Sequence, residues 1–580
     1  MTRVLLKPHF LAIFALLLFS FFALKNLLIP EFYTSHDGEN HVARAAQYYQ
    51  ALSDLQIPPR FAQSFYKGLG NPIFVYIYPL PYILTSTFHF IGFSFTDSFE
   101  LLSALLFILS GYFTYLWLNL IFKDSKSAFL GALFYTFVPY RFLLIYVRAS
   151  LSELCAYTFV PLAFYTLTKL SIDRNLKWLG ISSISTALLL LSQNLVALFS
   201  LPILGAYIVL LSFFKRSASL FFKAATSMIL GFGISSFTYL PSLFEREFVR
   251  FDSTTRQAYI NHFVTLKQLI RSPWGYGFDL PGTVNDQMSF QIGLVHILVI
   301  AIILFLFILA LLRRFSLING LVKRFINKLN TQEYIFVFLF LITLFVSILL
   351  MVESQISVYI WQHFSPLQIV DIPWRFLGIA SLSTTFLAAA AIKQIKTGII
   401  FLILVFLVLF ANRNHIRINE PRYLSDDFLL NYEDSATQYN EFTPKWRQTE
   451  KVPTDFDADK RIEIQKGNAN ISNLKSSAKE VSFQSHVVTD STQIRINRVY
   501  FPKTDLYIDG QKTNFTITTN DNLDISKQQD SSGLIQFDLT KGNHQVDLKF
   551  TETTLRIFAN YLSLLSILAA AFLIFKHVKN

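Results

Sequence analysis

The sequence predicts an α-helical polytopic membrane protein of about twelve spans, with one re-entrant or juxtamembrane segment and a C-terminal extracytoplasmic β-sandwich. Three observations predict it. Of 580 residues, 53% are apolar and only 15% charged. The basic clusters fall in alternate loops between apolar runs. Beyond about residue 412 the Phe/Leu/Ile runs give way to Asp, Asn, Thr, Ser and Lys.

So few charges cannot solvate that much apolar surface in water, and a bilayer is the natural solvent. The 61 Phe and 26 Tyr suit lipid-facing surfaces and headgroup belts. The net charge of +12 is dispersed in short clusters rather than gathered on one face, so membrane lipids are expected partners and nucleic acid is not. Cys155 is the single cysteine and has no intrachain partner.

The first apolar run, about 8–29, is long and lacks a small-residue cleavage site, which predicts an uncleaved span. Further runs lie near 97–122, 127–146, 152–171, 177–192, 195–214, 224–243, 288–312, 333–352, 375–391, 397–411 and 557–575. The run 72–92 is apolar but carries Pro79 and Pro81 amid Phe74, Tyr76, Tyr78 and Tyr82. If it does not cross, Lys123/Lys126, Arg174/Lys177, Lys215/Arg216/Lys223, Arg313/Arg314/Lys323/Arg324/Lys328, Lys393/Lys396 and Lys576/Lys579 all join Arg3/Lys7 inside. That bias predicts an aromatic-lined interfacial or re-entrant segment, with both termini cytoplasmic in a plasma-membrane protein. The expected units are a membrane domain, 1–411, with an outward loop at 30–96; an extracytoplasmic domain, 412–556; and a last span with its tail, 557–580.

In the outward domain, segments 461–465, 480–483, 493–496, 514–518, 535–539 and 545–550 alternate apolar and polar residues, the pattern of half-buried strands. Asp509-Gly510 and Lys541-Gly542-Asn543 supply the positive-φ positions that tight turns require.

The unexplained polar residues collect in outward segments. In the first loop, Ser35 or Asp37 would cap a helix over about 39–54 and place Asp37, His41 and Arg44 near one face, with His36 adjacent. This is either a solvated acidic cap or a site. A second group is Tyr140-Arg141 with Arg148 and Glu153, where arginine on the outer side defies the charge bias. Arg148 there contacts a headgroup, pairs with Glu153, or binds a phosphate-bearing ligand. A third is Asp371 with Trp374 and Arg375 at the mouth of a span. A cation in a first helical turn opposes the macrodipole and needs an anion, which is Asp371, lipid phosphate or substrate phosphate. Trp374 also reads as an interface anchor. The loop 244–287, with Glu245, Glu247, His262, Trp274 and Asp286, has the length of a lid. No HExxH, CxxC pair, GxSxG or phosphate-cradling glycine loop occurs, which disfavours zinc peptidase, serine hydrolase and cytosolic NTPase chemistry.

Several stretches occur in order: Ser35-His36-Asp37-Gly38 with His41 and Arg44, Gly70-Asn71-Pro72 with Tyr78-Pro79-Leu80-Pro81-Tyr82, Pro139-Tyr140-Arg141, Arg148 with Glu153, Met288 to Gly293, Pro373-Trp374-Arg375-Phe376, and Glu441 to Trp446. Together they resemble the bacterial membrane proteins labelled 6-pyruvoyl-tetrahydropterin synthase-related and, more broadly, the GT-C integral membrane glycosyltransferases. Pterin synthase chemistry does not follow, because no His-ligated soluble metal site is present. The GT-C resemblance implies transfer of a sugar from a polyprenyl-phosphate donor to an extracytoplasmic glycan, lipid or protein acceptor. It makes Asp37 the base or a metal ligand and Glu153 the second acid. Arg148 and Arg375 would hold the donor phosphate, and His36, His41, Arg44, Tyr140, Arg141, Asp371 and Trp374 would line the substrate. A divalent cation would sit on Asp37 and Glu153. Two departures stand out: Gln193-Asn194 replaces the His-Asn of relatives, and Glu39 is two positions from Asp37 rather than adjacent. The competing expectation is a non-enzymatic lipid-linked glycan transporter or envelope assembly factor.

Overall fold

The computed structural model describes residues 8–27, 29, 31–256, 258–278, 287–312, 329–395, 397–447, 460–518 and 532–576. Arg3, Lys7, Asp286, Arg313, Arg314, Lys323, Arg324, Lys328, Lys396 and Lys579 lie outside them.

All twelve apolar runs coincide with helix. Among the described residues, seven helices are long and apolar enough to cross a membrane: Pro8–Leu27, Phe95–Phe122, Asn194–Phe214, Thr331–Met351, Pro373–Gln394, Gly398–His415 and Thr554–Lys576. Two more runs are bent pairs, Ser125–Thr136 with Pro139–Val147 at 47° and Ala218–Ile234 with Ser236–Phe244 at 73°. The other three, Leu151–Asp173, Leu176–Ser192 and Leu294–Leu312, are single helices. The chain is a multi-pass helical membrane protein. Basic clusters meet at one end of the bundle, where Lys223 donates to Arg174 O at 2.8 Å and Arg174 to Lys215 O at 3.4 Å.

Helix Leu377–Gln394 is buried along almost its whole length, including Ala388 to Ala391 at 0% exposure. Small residues permit this: a Cβ on Gly131 would lie 3.1 Å from Ala389 Cβ, so the neighbouring helix approaches at backbone distance. Arg375 therefore stands at the mouth of a central helix.

Segment 72–92 forms a single turn, Ile73–Val75, and an 11-residue helix, Leu80–Phe90. At 1.5 Å per residue that helix is about 16 Å long, against about 30 Å of hydrocarbon, and cannot cross as a helix. Pro81 sits in its first turn, where a missing N–H costs no hydrogen bond.

The segment after residue 412 differs from expectation. Pro421–Arg422 pairs with Phe32–Tyr33, Asp426–Leu430 is helical, and Leu424, Leu429, Tyr432 and Ala436 join the apolar core of the membrane helices. Among the described residues the sheet starts at Ile462. It is one seven-stranded antiparallel sheet, whose central path runs Ile462–Lys466, Glu480–Val499, Leu534–Phe550, Thr504–Ile508, Gln511–Thr513. Glu480–Val499 and Leu534–Phe550 each unite two expected strands. The expected turn at Lys541-Gly542-Asn543 is not one: Gly542 pairs with Val487 and Asn543 with His486 inside the ladder. With φ at 139° beside a register shift between Val487 and Ser491, the glycine marks a bulge and bend rather than a reversal. Asp509 and Gly510, at φ 54° and 81°, do turn the chain between Thr504–Ile508 and Gln511–Thr513. Val481 and Val546 from one half of the sheet and Ile494 and Phe537 from the other share one apolar cluster.

Candidate functional site

Two local conformations bring Asp37 and Arg148 together. The bent span ends in a π-helical turn, Leu143–Val147, and Ala149 takes a φ of 51°, so the chain reverses at Arg148. The first loop docks on that reversal through its backbone: His36 N donates to Val147 O at 3.0 Å and Asp37 N to Arg148 O at 2.8 Å. Gly38 allows the approach, since a Cβ there would lie 2.4 Å from Ser35 Oγ and 2.9 Å from Ala149 Cβ.

Helix Gly38–Ser53 then begins at Asp37, but neither Ser35 nor Asp37 caps it through a side chain, contrary to the sequence reading. Asp37 turns outward instead, and Arg148 Nη2 donates to its Oδ2 at 3.0 Å. Arg148 Nη1 donates to Glu153 Oε1 at 2.6 Å, and Arg375 Nε lies 3.4 Å from the same oxygen. Arg375 Nη1 donates to Asp371 Oδ1 at 2.6 Å. Tyr140 OH takes the other Glu153 oxygen at 2.6 Å, and the Arg148 guanidinium lies 5.1 Å from the centre of the Trp374 ring. The result is a chain of alternating charge, Asp37, Arg148, Glu153, Arg375, Asp371, drawn from three segments distant in sequence.

This chain forms part of the wall of a cavity of about 420 Å³. Asp37, His41, Arg44, Arg148, Glu153, Asp371 and Arg375 all line it, as does Gln193. Leu190, Leu195, Leu198, Leu201, Phe232 and Leu243 add apolar wall from the neighbouring helices. Burial pushes the Asp37 carboxyl up, but Arg148, together with His41, His36 and Arg375, outweighs this and holds it below the ordinary carboxylate value. Burial, with Arg44 nearby, holds His41 at about 3, so the ring is neutral at physiological pH and its Nδ1 stands 3.1 Å from Tyr82 OH.

Four expected site residues stand off the cavity wall. Tyr140 and Trp374 support the charge chain from behind; Trp374 is 1% exposed and cannot anchor at a headgroup interface. His36 points to Tyr276 O at 3.2 Å. Arg141 is buried in helix packing, donating to Ser110 Oγ at 2.9 Å with its guanidinium 5.4 Å from the centre of the Tyr135 ring. It does not line the cavity.

Arg246, Gln438, Tyr439 and Glu441 also line the cavity. Arg246 comes from the expected lid, but the other three were missed as site residues because 412–447 was read as part of the sandwich. Their segment is held down by Arg44 Nε on Ala436 O at 2.8 Å and by Tyr66 OH on Asn440 and Thr443. Ala436 and Asn440 both have φ near 50° and bracket the tip, Thr437 to Tyr439. Burial raises the Glu441 carboxyl above its ordinary value, opposed in part by its own backbone N–H and by Arg44. Within the lid, Glu245 faces away from the cavity and pairs with Arg556 at 2.7 Å, while Trp274 stacks on His415.

Asp37 and Glu153 do not fit a shared divalent cation. A hard cation needs about six oxygen ligands at roughly 2.0–2.6 Å. Here a guanidinium stands between the two carboxylates, and the second Glu153 oxygen accepts from Tyr140. Among the described residues no group of three or more His, Cys, Asp or Glu side chains is placed to hold a metal.

No family model matches the chain, so the pterin synthase-related label finds no support. The chain is 27% identical over 223 residues to a protein of Lactococcus lactis subsp. cremoris (strain MG1363) described as uncharacterized, covering 37% of this chain and 36% of that one. Two solved structures are similar at 12% identity. Arabinofuranosyltransferase AftD from Mycobacteria gives a TM-score of 0.42 over 70% of this chain and 26% of its own. The Archaeoglobus fulgidus oligosaccharyltransferase in the apo form gives 0.38 over 74% and 57%. The chain thus spans less than two thirds of each of these proteins.

Proposed function

We propose that the protein is an integral membrane glycosyltransferase that moves a sugar from a polyprenyl-phosphate donor to an extracytoplasmic acceptor. One observation carries this reading: a single cavity joins four arginines, Arg44, Arg148, Arg246 and Arg375, and the Asp37 carboxylate to an apolar wall made by membrane helices. That combination suits an amphiphile with an anionic head and a hydrocarbon tail. Arg148 and Arg375 would receive the phosphate. Arg375, held by Asp371 and Glu153, lines the cavity beside Arg148, so the two guanidinium charges face the same space.

In the reaction, Asp37 accepts the acceptor hydroxyl proton as that oxygen bonds to the anomeric carbon, and the bond from carbon to phosphate oxygen breaks. Polyprenyl phosphate leaves with the electron pair, its charge facing the two arginines. Glu153, with both oxygens already engaged, positions the arginines and exchanges no proton. The cavity faces the extracytoplasmic side in this reading, residues 1–411 form the membrane unit, 412–556 the outward unit and 557–580 the last span, with both termini cytoplasmic.

The test supplies purified protein with labelled polyprenyl-phosphate sugars and measures release of polyprenyl phosphate. Sugar-dependent release that Asp37→Asn abolishes supports the reading. Release by no form, with retained lipid-phosphate binding, favours a transporter or assembly factor.

A further inference from the structure

We propose that the Arg148 guanidinium stands in place of a divalent cation between Asp37 and Glu153, so that the positive charge facing the phosphate belongs to the chain itself. The family resemblance alone offers Asp37 and Glu153 as candidate ligands of a divalent cation. The geometry supplies the alternative. Arg148 spans the two carboxylates at 3.0 and 2.6 Å and leaves no room for an ion bridging the same oxygens. Its own position is fixed on three further sides. The Trp374 ring lies against the guanidinium, Tyr140 fixes the remaining Glu153 oxygen, and its backbone carbonyl accepts from Asp37 N. Arg148 is only 5% exposed and Glu153 1%, so neither can swing into solvent without leaving a buried charge behind.

A guanidinium differs from a metal ion in what it offers the substrate. It gives directional donors and a fixed charge, but it neither ligates an acceptor hydroxyl nor sharply lowers its pKa. Deprotonation of the acceptor therefore falls to Asp37 alone. The same device explains why Asp37 needs no adjacent second acid: Glu39 pairs instead with Arg422 at 2.6 Å.

The functional side of this inference rests on the glycosyl-transfer reading, whereas its test does not. Mn²⁺ is titrated into the purified full-length protein in detergent without donor and followed by electron paramagnetic resonance. Native protein is expected to bind no Mn²⁺ that Asp37→Asn or Glu153→Gln removes. In Arg148→Ala the two carboxylates lose their shared cation, and Mn²⁺ affinity is expected to rise at least about tenfold, an increase that adding Asp37→Asn abolishes. If Arg148→Ala does not fold, the native and Asp37→Asn titrations decide alone. One Mn²⁺ bound to native protein and lost in Asp37→Asn overturns the inference, whatever the donor assay shows. Absent donor turnover with no such Mn²⁺ overturns the transfer reading and leaves the arginine assignment standing.

Discussion

Asp37 and Arg148, 111 positions apart, are tied twice: backbone N–H to carbonyl at 2.8 Å and carboxylate to guanidinium at 3.0 Å. The first contact fixes the loop and leaves the second free to respond to a ligand. In the proposed reaction a donor phosphate at Arg148 would compete with Asp37 for the same guanidinium donors, which would couple donor binding to the readiness of the base.

Asp37→Asn keeps the side-chain shape and removes the proton acceptor. Turnover is expected to fall by about 10²–10⁴, the usual contribution of a positioned base, with donor binding retained or tightened because a negative charge has left the phosphate side. Single-turnover assays beside equilibrium binding separate the two effects.

Glu153→Gln leaves two buried arginines sharing one fewer charge. Loss of one partner from a buried pair costs about 3–5 kcal/mol, so the variant should unfold at clearly lower temperature in detergent. Tyr140→Phe, which removes only the 2.6 Å hydrogen bond to Glu153, should cost about 1–3 kcal/mol by the same measurement.

Gly38→Val forces a branched side chain against Ser35 and Ala149. It should part the first loop from the Arg148 reversal and lower turnover at least tenfold while the membrane helices stay intact. A cysteine at Ser35 probed with an impermeant thiol reagent reads the change, labelling faster in the variant.

Donor affinity should depend on pH through Glu441 and not through His41. His41, held at about 3, stays neutral throughout the working range. Glu441 titrates above the ordinary carboxylate value, so lowering the pH through that raised value protonates it and removes a negative charge from the cavity. Polyprenyl-phosphate binding should tighten as pH falls across this window. Glu441→Gln should bind tightly throughout, while His41→Gln keeps the native profile. The linkage sign follows: a carboxyl with raised folded pKa contributes stability below its unfolded pKa that is lost as pH rises through the folded one.

Much of this was legible in the chain. The helices declared themselves because lipid demands long apolar runs, and Arg148 and Arg375 stood out because they broke the charge bias expected of their loops. The need of Arg375 for an anion was visible from its first-turn position, and of the three anions left open the structure pairs it with Asp371. What escaped was whatever depends on long-range packing. Nothing local separates residues 431–447 from the β-domain that follows and assigns them to the cavity wall, since their contacts, such as Arg44 to Ala436, cross nearly 400 positions. Gly542 misled for a related reason: glycine marks bulges and turns alike, and only the pairing partner distinguishes them. The missing side-chain cap at Asp37 is a case of tertiary charge overriding a local preference.

The most direct test of the central claim is a comparison of polyprenyl phosphate with the uncharged polyprenol of equal length, binding to native protein and to Arg375→Ala. The account predicts that native protein prefers the phosphate by at least about tenfold, that Arg375→Ala loses most of this preference, and that polyprenol affinity is unchanged. Equal affinity of native protein for the two lipids would contradict it.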